Sequence, residues 1–552
     1  MTNTAGLIRR IILATLVCFT STAATLAQNN EKPVAVISLA SVDELMADIG
    51  YLTRAGGSPE YGALVTIMAG QFIQGIDTTQ PAGAYITMDG EPSAIVFVAV
   101  SDFAAITTKI EESVGELEDI GGGVKKLSLQ RAIYLKETDG WVFATDKAAN
   151  LNNLPKDPTE LLGGLDKEYD VAIRLNVQNI PEEIRKTAVS EIKQGFERSI
   201  ANETDDETRR VQEQFGGRAI ESIDEFASEA DQLTIGWAID SEAAKTYLDL
   251  SVTALEGTKL ASQIGQYSNT TSDYSDFLRE DAAATFHFTT PLAKEDVEQM
   301  LAMVKVMREE ALKEIDKDDD LPNDEARAEA KDIVGALIDV LQSTVEEGKL
   351  SGGGSLLLAP GEINFIAGGF IADGQAIKKN LQRLAELAKQ AEDAPGVEVK
   401  FDVDQHAGVS FHTLKAPVPE DEEEARKILG EEIVVTVGTG AKSIYVGFGD
   451  RSAELLKQVI DKSADAAAEE TLPMELNIAL APIMAFAASV QDDPIIAGLA
   501  EALKNGNGKD RISITGTPIE RGVTYRLEVE EDVLQLIGQA AKLQNARDRD
   551  PF

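Results

Sequence analysis

The chain has very little cysteine and histidine, two residues that metal centres and nucleophilic enzymes often use. Its 552 residues include one cysteine, Cys18, and three histidines, His287, His406 and His412. A single cysteine can form neither an internal disulfide nor a thiolate zinc site, and the chain has no His-Glu-x-x-His or Gly-x-Ser-x-Gly pattern. The fold must therefore be stabilised by burial of a core rather than by cross-links.

Long apolar stretches are also missing beyond the first residues. Arg9 and Arg10 precede an apolar stretch at residues 11–19 and a run of small residues that ends at Ala27. This order is typical of a secretory signal peptide, and we expect cleavage after Ala27. No later stretch approaches the roughly 18 apolar residues of a membrane-spanning helix. The sequence thus predicts a periplasmic or secreted protein without a membrane span.

Positive charge is scarce. The chain has 51 Lys and Arg against 94 Asp and Glu, which gives a net charge of −43. A field of this sign repels phosphate, so we expect no nucleic-acid partner, and it opposes binding to anionic lipid surfaces. The charge would attract cationic partners or divalent metals; the alternative, which we favour, is that it serves only to keep the surface soluble.

Hydrophobic periodicity and turn residues divide the chain into two halves with a similar order of elements. Each half begins with a strand, two helices, a hairpin and a helix, and each closes on a hairpin and a helix. The predicted layout is a signal peptide at 1–27, an N-terminal half at 28–267, a Ser/Thr/Asp-rich linker at 268–281, a C-terminal half at 282–543 and a polar tail at 544–552.

The frequent hairpins favour antiparallel sheets. The fold class that we predict is α+β, with two similar halves, each a mainly antiparallel sheet with helices packed on one face. The parallel between the halves lies in the order of elements rather than in residue identity. We interpret it as a diverged internal duplication; the alternative is a pair of unrelated α+β domains.

One group of residues has a pattern that metal ligands can adopt. Asp402, Asp404 and His406 occupy alternate positions, so their side chains would point to one side of an extended segment, where carboxylates and imidazole can share a cation. The alternative is a solvated strand end, which we favour. These three residues are the weak metal candidates of the chain, and no other cofactor is expected.

An acidic stretch begins like the calcium loop of an EF-hand. Asp316, Asp318 and Asp320 stand at the spacing of the first ligands. Leu321 replaces the glycine that the sharp turn needs, and Arg327 replaces the closing glutamate. We therefore expect an acidic turn between two helices.

The two tryptophans lie in predicted strands among apolar neighbours. Trp141 and Trp237 are predicted to be core anchors rather than ligand platforms. A large apolar cavity lined by residues such as Phe97, Trp237 and Phe365 would instead indicate a carrier of apolar molecules.

Three stretches resemble a known group of proteins. They are SVDELMADIGYLT at 41–53, DGWVF at 139–143 and YDVAIRLNVQNIP at 169–181. They look like those of uncharacterised exported proteins from planctomycete-type bacteria, and the resemblance covers most of the chain. It implies a location in a Gram-negative-like envelope, and it brings neither an activity nor catalytic residues.

The leading hypothesis is therefore an exported, non-catalytic binding or interaction protein whose partner, a protein or a small molecule, is unknown. Two alternatives stay open. One is a carrier of apolar molecules. The other is a hydrolase that uses buried carboxylates, which requires acidic side chains with raised pKa values in one cleft.

Overall fold

The computed structural model describes residues 32–549 except 90, 203–221, 318–320, 322, 389–396, 419–421 and 467–469. The predicted α+β class is confirmed by helices that alternate with antiparallel strands. The predicted signal peptide and the last two residues of the acidic triplet Asp316, Asp318 and Asp320 lie outside the described residues.

The described chain forms two compact units. Unit 1 comprises Met1–Arg54, Pro59–Asp240 and Leu248–Leu260; unit 2 comprises Ala55–Ser58, Ser241–Tyr247 and Ala261–Phe552. The main boundary, after Leu260, falls close to the predicted end of the N-terminal half at 267.

Unit 1 contains ten strands, five helices, a helical segment at 222–229 and the first two residues of a helix that continues into unit 2, all among the described residues. The strands are β1 (Ala35–Leu39), β2 (Ala82–Asp89), β3 (Glu91–Ala99), β4 (Leu117–Gly121), β5 (Val124–Ser128), β6 (Ala132–Thr138), β7 (Trp141–Thr145), β8 (Val171–Asn176), β9 (Ala230–Asp240) and β10 (Lys245–Ala254), whose first three residues belong to unit 2. The helices are α1 (Val42–Ala55), α2 (Pro59–Gly70), α3 (Phe103–Ser113), α4 (Leu165–Glu168), α5 (Glu182–Asn202) and α6 (Lys259–Gly265).

Unit 2 contains ten further strands and eight helices among the described residues. The strands are β11 (Ala284–Pro291), β12 (Lys349–Ala359), β13 (Glu362–Phe370), β14 (Glu398–His406), β15 (Val409–Pro417), β16 (Glu432–Thr439), β17 (Ser443–Phe448), β18 (Met474–Ala479), β19 (Arg511–Ile519) and β20 (Gly522–Glu530). The helices are α7 (Lys294–Lys317), α8 (Asp324–Glu346), α9 (Gly374–Ala388), α10 (Glu423–Leu429), α11 (Ser452–Ala466), α12 (Leu480–Val490), α13 (Pro494–Lys504) and α14 (Glu531–Arg549).

The two units have the same strand order. In unit 1 the order is β9-β8-β1-β2-β3-β7-β6-β5-β4, with β10 beside β9. In unit 2 it is β20-β19-β18-β11-β12-β13-β17-β16-β15-β14. Each strand of unit 1 therefore has a counterpart in unit 2, so that β1 corresponds to β11 and β9 to β19.

Helical segments cover both faces of the unit 1 sheet in part. On one face, which we call the inner face, Leu151 and Leu162 from two short 3₁₀ turns pack against Phe97 and Phe143. On the opposite face α3 covers the β3-β7-β6 end, where Phe103 packs beside the buried side chains of that end. The β1-β8-β9 end of that opposite face is not covered in this way, because large apolar side chains there are exposed.

The segment 268–281, predicted to be a polar linker, is packed into unit 2. Tyr274 and Phe277 are buried there and belong to a core cluster with Ile366 and Leu455. Ser272 is buried as well, and its hydroxyl lies 3.0 Å from that of Ser351, whereas most of the other polar residues of the segment are not buried. The few buried polar side chains therefore have hydrogen-bond partners in unit 2, and the remaining ones account for the polar composition of the segment.

Local sequence signals account for several helix starts. Ser41 and Glu44 form a capping box, in which the Glu44 amide donates to the Ser41 hydroxyl at 3.2 Å. Asp102 and Asp493 accept from backbone amides of the first turns of α3 and α13, which leaves their N-termini satisfied.

Candidate functional site

The three metal candidates do not converge. Lys378 donates to Asp402 at 2.6 Å, Lys457 pairs with Asp404, and His406 Nε2 lies 2.6 Å from Asp461. These lysines lower the pKa of the Asp402 and Asp404 carboxyls. Each candidate therefore has a separate partner, and within the described residues no group of three His, Cys, Asp or Glu could hold a metal ion.

A backbone irregularity explains why Asp402, Asp404 and His406 do not share one side of the strand. The register of β14 against β15 shifts between Lys400 and Asp404, and Asp402 has a φ of 52°. A bulge of this kind turns a side chain away from the face that simple alternation assigns to it. Asp402 consequently contacts Lys378 of α9, whereas Asp404 contacts Lys457 of α11.

The first residue of the acidic triplet has a structural role. Asp316, at the end of α7, pairs with Lys331 of α8. This ion pair links consecutive helices, as an acidic turn between two helices predicts.

A buried pair of carboxyl groups lies in unit 1. Asp48 of α1 and Asp170, which precedes β8, are 9% and 6% exposed. Burial, together with the hydrogen bond and the charge of Asp170, raises the pKa of Asp48 to about 7. Asp170 also accepts from the Ile239 amide at 2.7 Å. The pair ties α1 to the sheet, and neither carboxyl is presented to a substrate.

An open groove of about 440 Å³ in unit 2 is polar. It is lined by Glu329, Lys379, Gln382, Arg383, Glu386, Leu387 and Phe401. Arg383 donates to Glu329 at 2.8 Å and to Asp332 at 2.6 Å. The guanidinium lowers the pKa of Glu329, so this carboxyl is held ionised rather than protonated as a general acid would be.

The most extensive feature is an uncharged surface on the sheet of unit 2. Because paired residues of antiparallel strands share a face, the register defines three rows across β12, β11, β18, β19 and β20. The rows are Gly354-Phe286-Leu476-Ile514-Leu527, Gly352-Phe288-Met474-Gly516-Tyr525 and Leu356-Ala284-Ile478-Ile512-Val529. We call this grid the apolar face of unit 2; its only polar side-chain atom is the Tyr525 hydroxyl.

Aromatic rings lie over glycines on the apolar face of unit 2. A Cβ at Gly354 would meet the Phe286 ring at 2.4 Å, and one at Gly352 would meet the Phe288 ring at 3.1 Å. Gly516 lies in the same way beside the Tyr525 ring, which a Cβ would meet at 3.4 Å. The rings therefore lie against the backbone of the neighbouring strand, where they form a smooth hydrocarbon surface.

Unit 1 has the same kind of surface on the corresponding strands. Three rows cross β2, β1, β8 and β9: Ala84-Ile37-Ile173-Ile235, Ala82-Leu39-Val171-Trp237 and Ile86-Ala35-Leu175-Leu233. We call this grid the apolar face of unit 1. It contains no charged residue, and its one polar side-chain atom is the indole nitrogen of Trp237.

Both apolar faces are partly open to solvent. In unit 1 Ile173, Ile235 and Trp237 are 47, 46 and 37% exposed, and in unit 2 Phe286 and Leu527 are 36 and 38% exposed. The solvated face of an antiparallel sheet is normally the polar one. In unit 2 the open face is apolar instead, since His287, Thr285 and other polar side chains point to the opposite face of the sheet, where they are buried.

The tryptophans therefore have different roles from one another. Trp141 is a core residue, packed edge to face against Phe97 at 5.7 Å on the inner face. The prediction that Trp237 is also a core anchor is wrong, because it lies on the apolar face of unit 1. Phe97 and Trp237 are on opposite faces of one sheet, so they cannot line a single cavity.

A second apolar surface lies on α2 and just beyond its end. Tyr61, Leu64, Ile67 and Phe72 are each at least half exposed. Among the residues that the structure describes, no helix is long and apolar enough to cross a bilayer.

Alternation along the sequence predicts that Leu233, Ile235 and Trp237 share one face of a strand, and the register confirms this. Alternation could not tell that this face is open. A strand covered by a helix and a strand that binds an apolar partner have the same alternation of residues.

Comparison with known proteins adds no relative. No protein-family model, no curated protein and no solved structure matches the chain.

Proposed function

We propose that the chain is a non-catalytic binding protein that takes up an apolar partner on the open faces of its sheets. The observation that carries this proposal is the exposure of Ile173, Ile235 and Trp237 in unit 1 and of Phe286 and Leu527 in unit 2. Extended uncharged patches on a protein surface mark sites that bind a partner, a ligand or a membrane.

Repetition of the surface supports the same proposal. The corresponding strands of both units carry it, although the residues differ, with Trp237 on β9 and Ile514 on β19. A surface patch that binds nothing could accept charged residues, which make up 26% of this chain. The internal duplication stays a prediction, and the shared strand order supports it.

The two alternatives, a carrier with an apolar cavity and a hydrolase that uses buried carboxylates, have less support. An enclosed cavity between Phe97 and Trp237 is ruled out by their positions on opposite faces. The carboxyl pair with a raised pKa, Asp48 and Asp170, is buried rather than placed in a cleft. Export to the periplasm or the medium is retained as part of the proposal on the strength of residues 1–27.

Binding of the neutral dye N-phenyl-1-naphthylamine tests the proposal. Wild-type protein should bind the dye at two classes of site, one on each apolar face. Ile235→Asp should remove the unit 1 class and Leu527→Asp the unit 2 class, since each puts a charge inside a hydrocarbon surface. Absence of dye binding to the folded wild type would exclude the proposal.

Two control variants add the same charge elsewhere. Thr517→Asp lies at an exposed position of β19 on the opposite face from Ile514, and Ala104→Asp lies in the exposed first turn of α3, where a carboxylate is favourable. Both controls should bind the dye as the wild type does.

A further inference from the structure

The chemistry of the apolar faces restricts what they can bind. The fifteen positions of the unit 2 rows contain one side chain that can form hydrogen bonds, Tyr525, and the unit 1 rows contain one, Trp237. A partner on these surfaces gains from burial of hydrocarbon and from almost nothing else.

The backbone beneath the faces offers no free groups either. β11 pairs with β12 on one side and β18 on the other, and β1 pairs with β2 and β8. Their amides and carbonyls are therefore engaged in the sheet. An extended peptide laid on such a surface would have to desolvate its own main-chain groups without receiving partners. A hydrocarbon chain has no such cost.

Charge restricts the partner further. The excess of 94 acidic over 51 basic residues produces a negative potential that opposes the approach of anions. A carboxylate or phosphate headgroup without a cationic partner would be repelled, and the rows contain no Lys or Arg that could bind it. An uncharged headgroup meets no such opposition.

We infer that the ligand of the apolar faces is the acyl chain of a lipid that has no net negative charge. This inference rests on the proposed function and names its ligand class. The five strands of the unit 2 rows, at a spacing of about 4.8 Å, make a surface about 19 Å across, on which an extended acyl chain can lie.

Displacement of N-phenyl-1-naphthylamine by a lipid series tests the inference on the full chain. The series consists of the lauroyl, myristoyl and palmitoyl monoacylglycerols, below their aggregation limits. Affinity should rise roughly threefold for each added methylene, because each one removes further hydrocarbon from water. An affinity independent of chain length overturns the inference.

Two competitors test the chemistry of the partner. Palmitate should bind more weakly than palmitoylglycerol. The difference in affinity should decrease with added salt, which screens the negative field of the protein. A capped oligoleucine peptide should not displace the dye. Displacement by the peptide but not by the monoacylglycerols would overturn the acyl-chain inference and leave the proposed function standing. Failure of the dye itself to bind would exclude both the acyl-chain inference and the proposed function.

The variants serve as the structural control. Ile235→Asp and Leu527→Asp should each lose one class of monoacylglycerol site, and the more conservative Ile235→Ala and Leu527→Ala should show intermediate loss. Circular dichroism of each variant establishes that it is folded. Full binding by a folded Ile235→Asp, Leu527→Asp double variant would contradict the inference.

Discussion

At the scale of single residues, the two buried histidines form a natural comparison. His287 is 1% exposed, and neither of its ring nitrogens has a hydrogen-bond partner. His412 is 3% exposed; it accepts from the Asp402 amide at Nδ1, so Nε2 holds the proton and donates to Thr439. The same residue type is thus unsatisfied at one site and satisfied at the other.

Replacement of each histidine by leucine should have opposite effects. His287→Leu removes an unpaired polar group and should stabilise the fold by about 1 kcal/mol, whereas His412→Leu leaves the Asp402 amide and the Thr439 hydroxyl without their partner and should cost about 1–3 kcal/mol. Urea unfolding at pH 7 measures both. Equal destabilisation by the two changes would show that His287 has partners too.

The pH dependence of His287 follows from its burial. Burial lowers its pKa to about 4 from 6.5, so the unfolded chain binds a proton between these values that the folded chain does not. Stability should therefore fall as the pH falls from about 6.5 to about 4, and this component should disappear in His287→Leu. Unfolding free energies measured across this pH range give the slope; an unchanged slope in the variant would contradict the assignment.

Asp48 should produce the opposite slope. Its pKa is raised to about 7 from 3.8, so between these values the folded chain holds a proton that the unfolded chain has released. The stability contributed by the protonated pair is complete below about pH 4 and is lost as the pH rises to about 7.

Asp48→Asn should therefore be more stable than the wild type at pH 8 and nearly equal to it at pH 4, because the amide resembles the protonated acid. Urea unfolding at the two pH values gives the difference. Asp43→Asn, at an exposed position of the same helix, is the control and should show no such pH-dependent gain.

At the scale of elements, the clearest departure from the sequence prediction is the segment 268–281. Its Ser, Thr and Asp residues are typical of a linker, yet Phe277 is fully buried and Tyr274 packs beside it. Short segments that alternate one buried and one exposed residue have no periodicity long enough to identify a core element.

Phe277→Ala should destabilise the protein by about 3–5 kcal/mol, since it opens a cavity in the core cluster of unit 2. Asp273→Ala, four residues earlier and exposed, should change stability by less than about 0.5 kcal/mol. Thermal or urea unfolding distinguishes these values. A near-zero effect at Phe277 would mean that the segment is a linker after all.

Strand β12 shows why other boundaries were missed. This strand begins at Lys349 and includes Gly352, Gly353 and Gly354, a stretch without the apolar alternation by which a strand is identified in a sequence. Glycine is unfavourable in strands unless something approaches closely. Here the Phe286 and Phe288 rings make that approach from the neighbouring strand, a contact that sequence spacing does not reveal.

The hairpin of β4 and β5 was missed for a different reason. Its residues are mostly charged, small or glycine, and β4 is largely exposed at the edge of the sheet. Hydrophobic alternation identifies strands that bury one face, so an edge strand with little burial gives no such signal.

At the scale of the whole molecule, the sequence predicted the α+β class but not the candidate site. Whether a stretch of the chain forms a helix or a strand depends largely on its local sequence, and such assignments are most reliable where the local signal is strong. Whether an apolar strand face is covered depends on where α3 and α9 end over the sheet, which is a property of tertiary packing. The three metal candidates do not converge, because the register shift around Asp402 is not visible in sequence spacing.

The central claim is that acyl chains lie on the apolar faces, and fluorescence quenching by a brominated monoacylglycerol tests it most directly. Trp141→Phe leaves Trp237 on the apolar face of unit 1, and Trp237→Phe leaves Trp141 on the inner face of the same sheet. Bromine on the bound chain should quench Trp237 strongly and leave Trp141 nearly unaffected. Equal quenching of both tryptophans, or none of Trp237 under conditions where the lipid is bound, would contradict the claim.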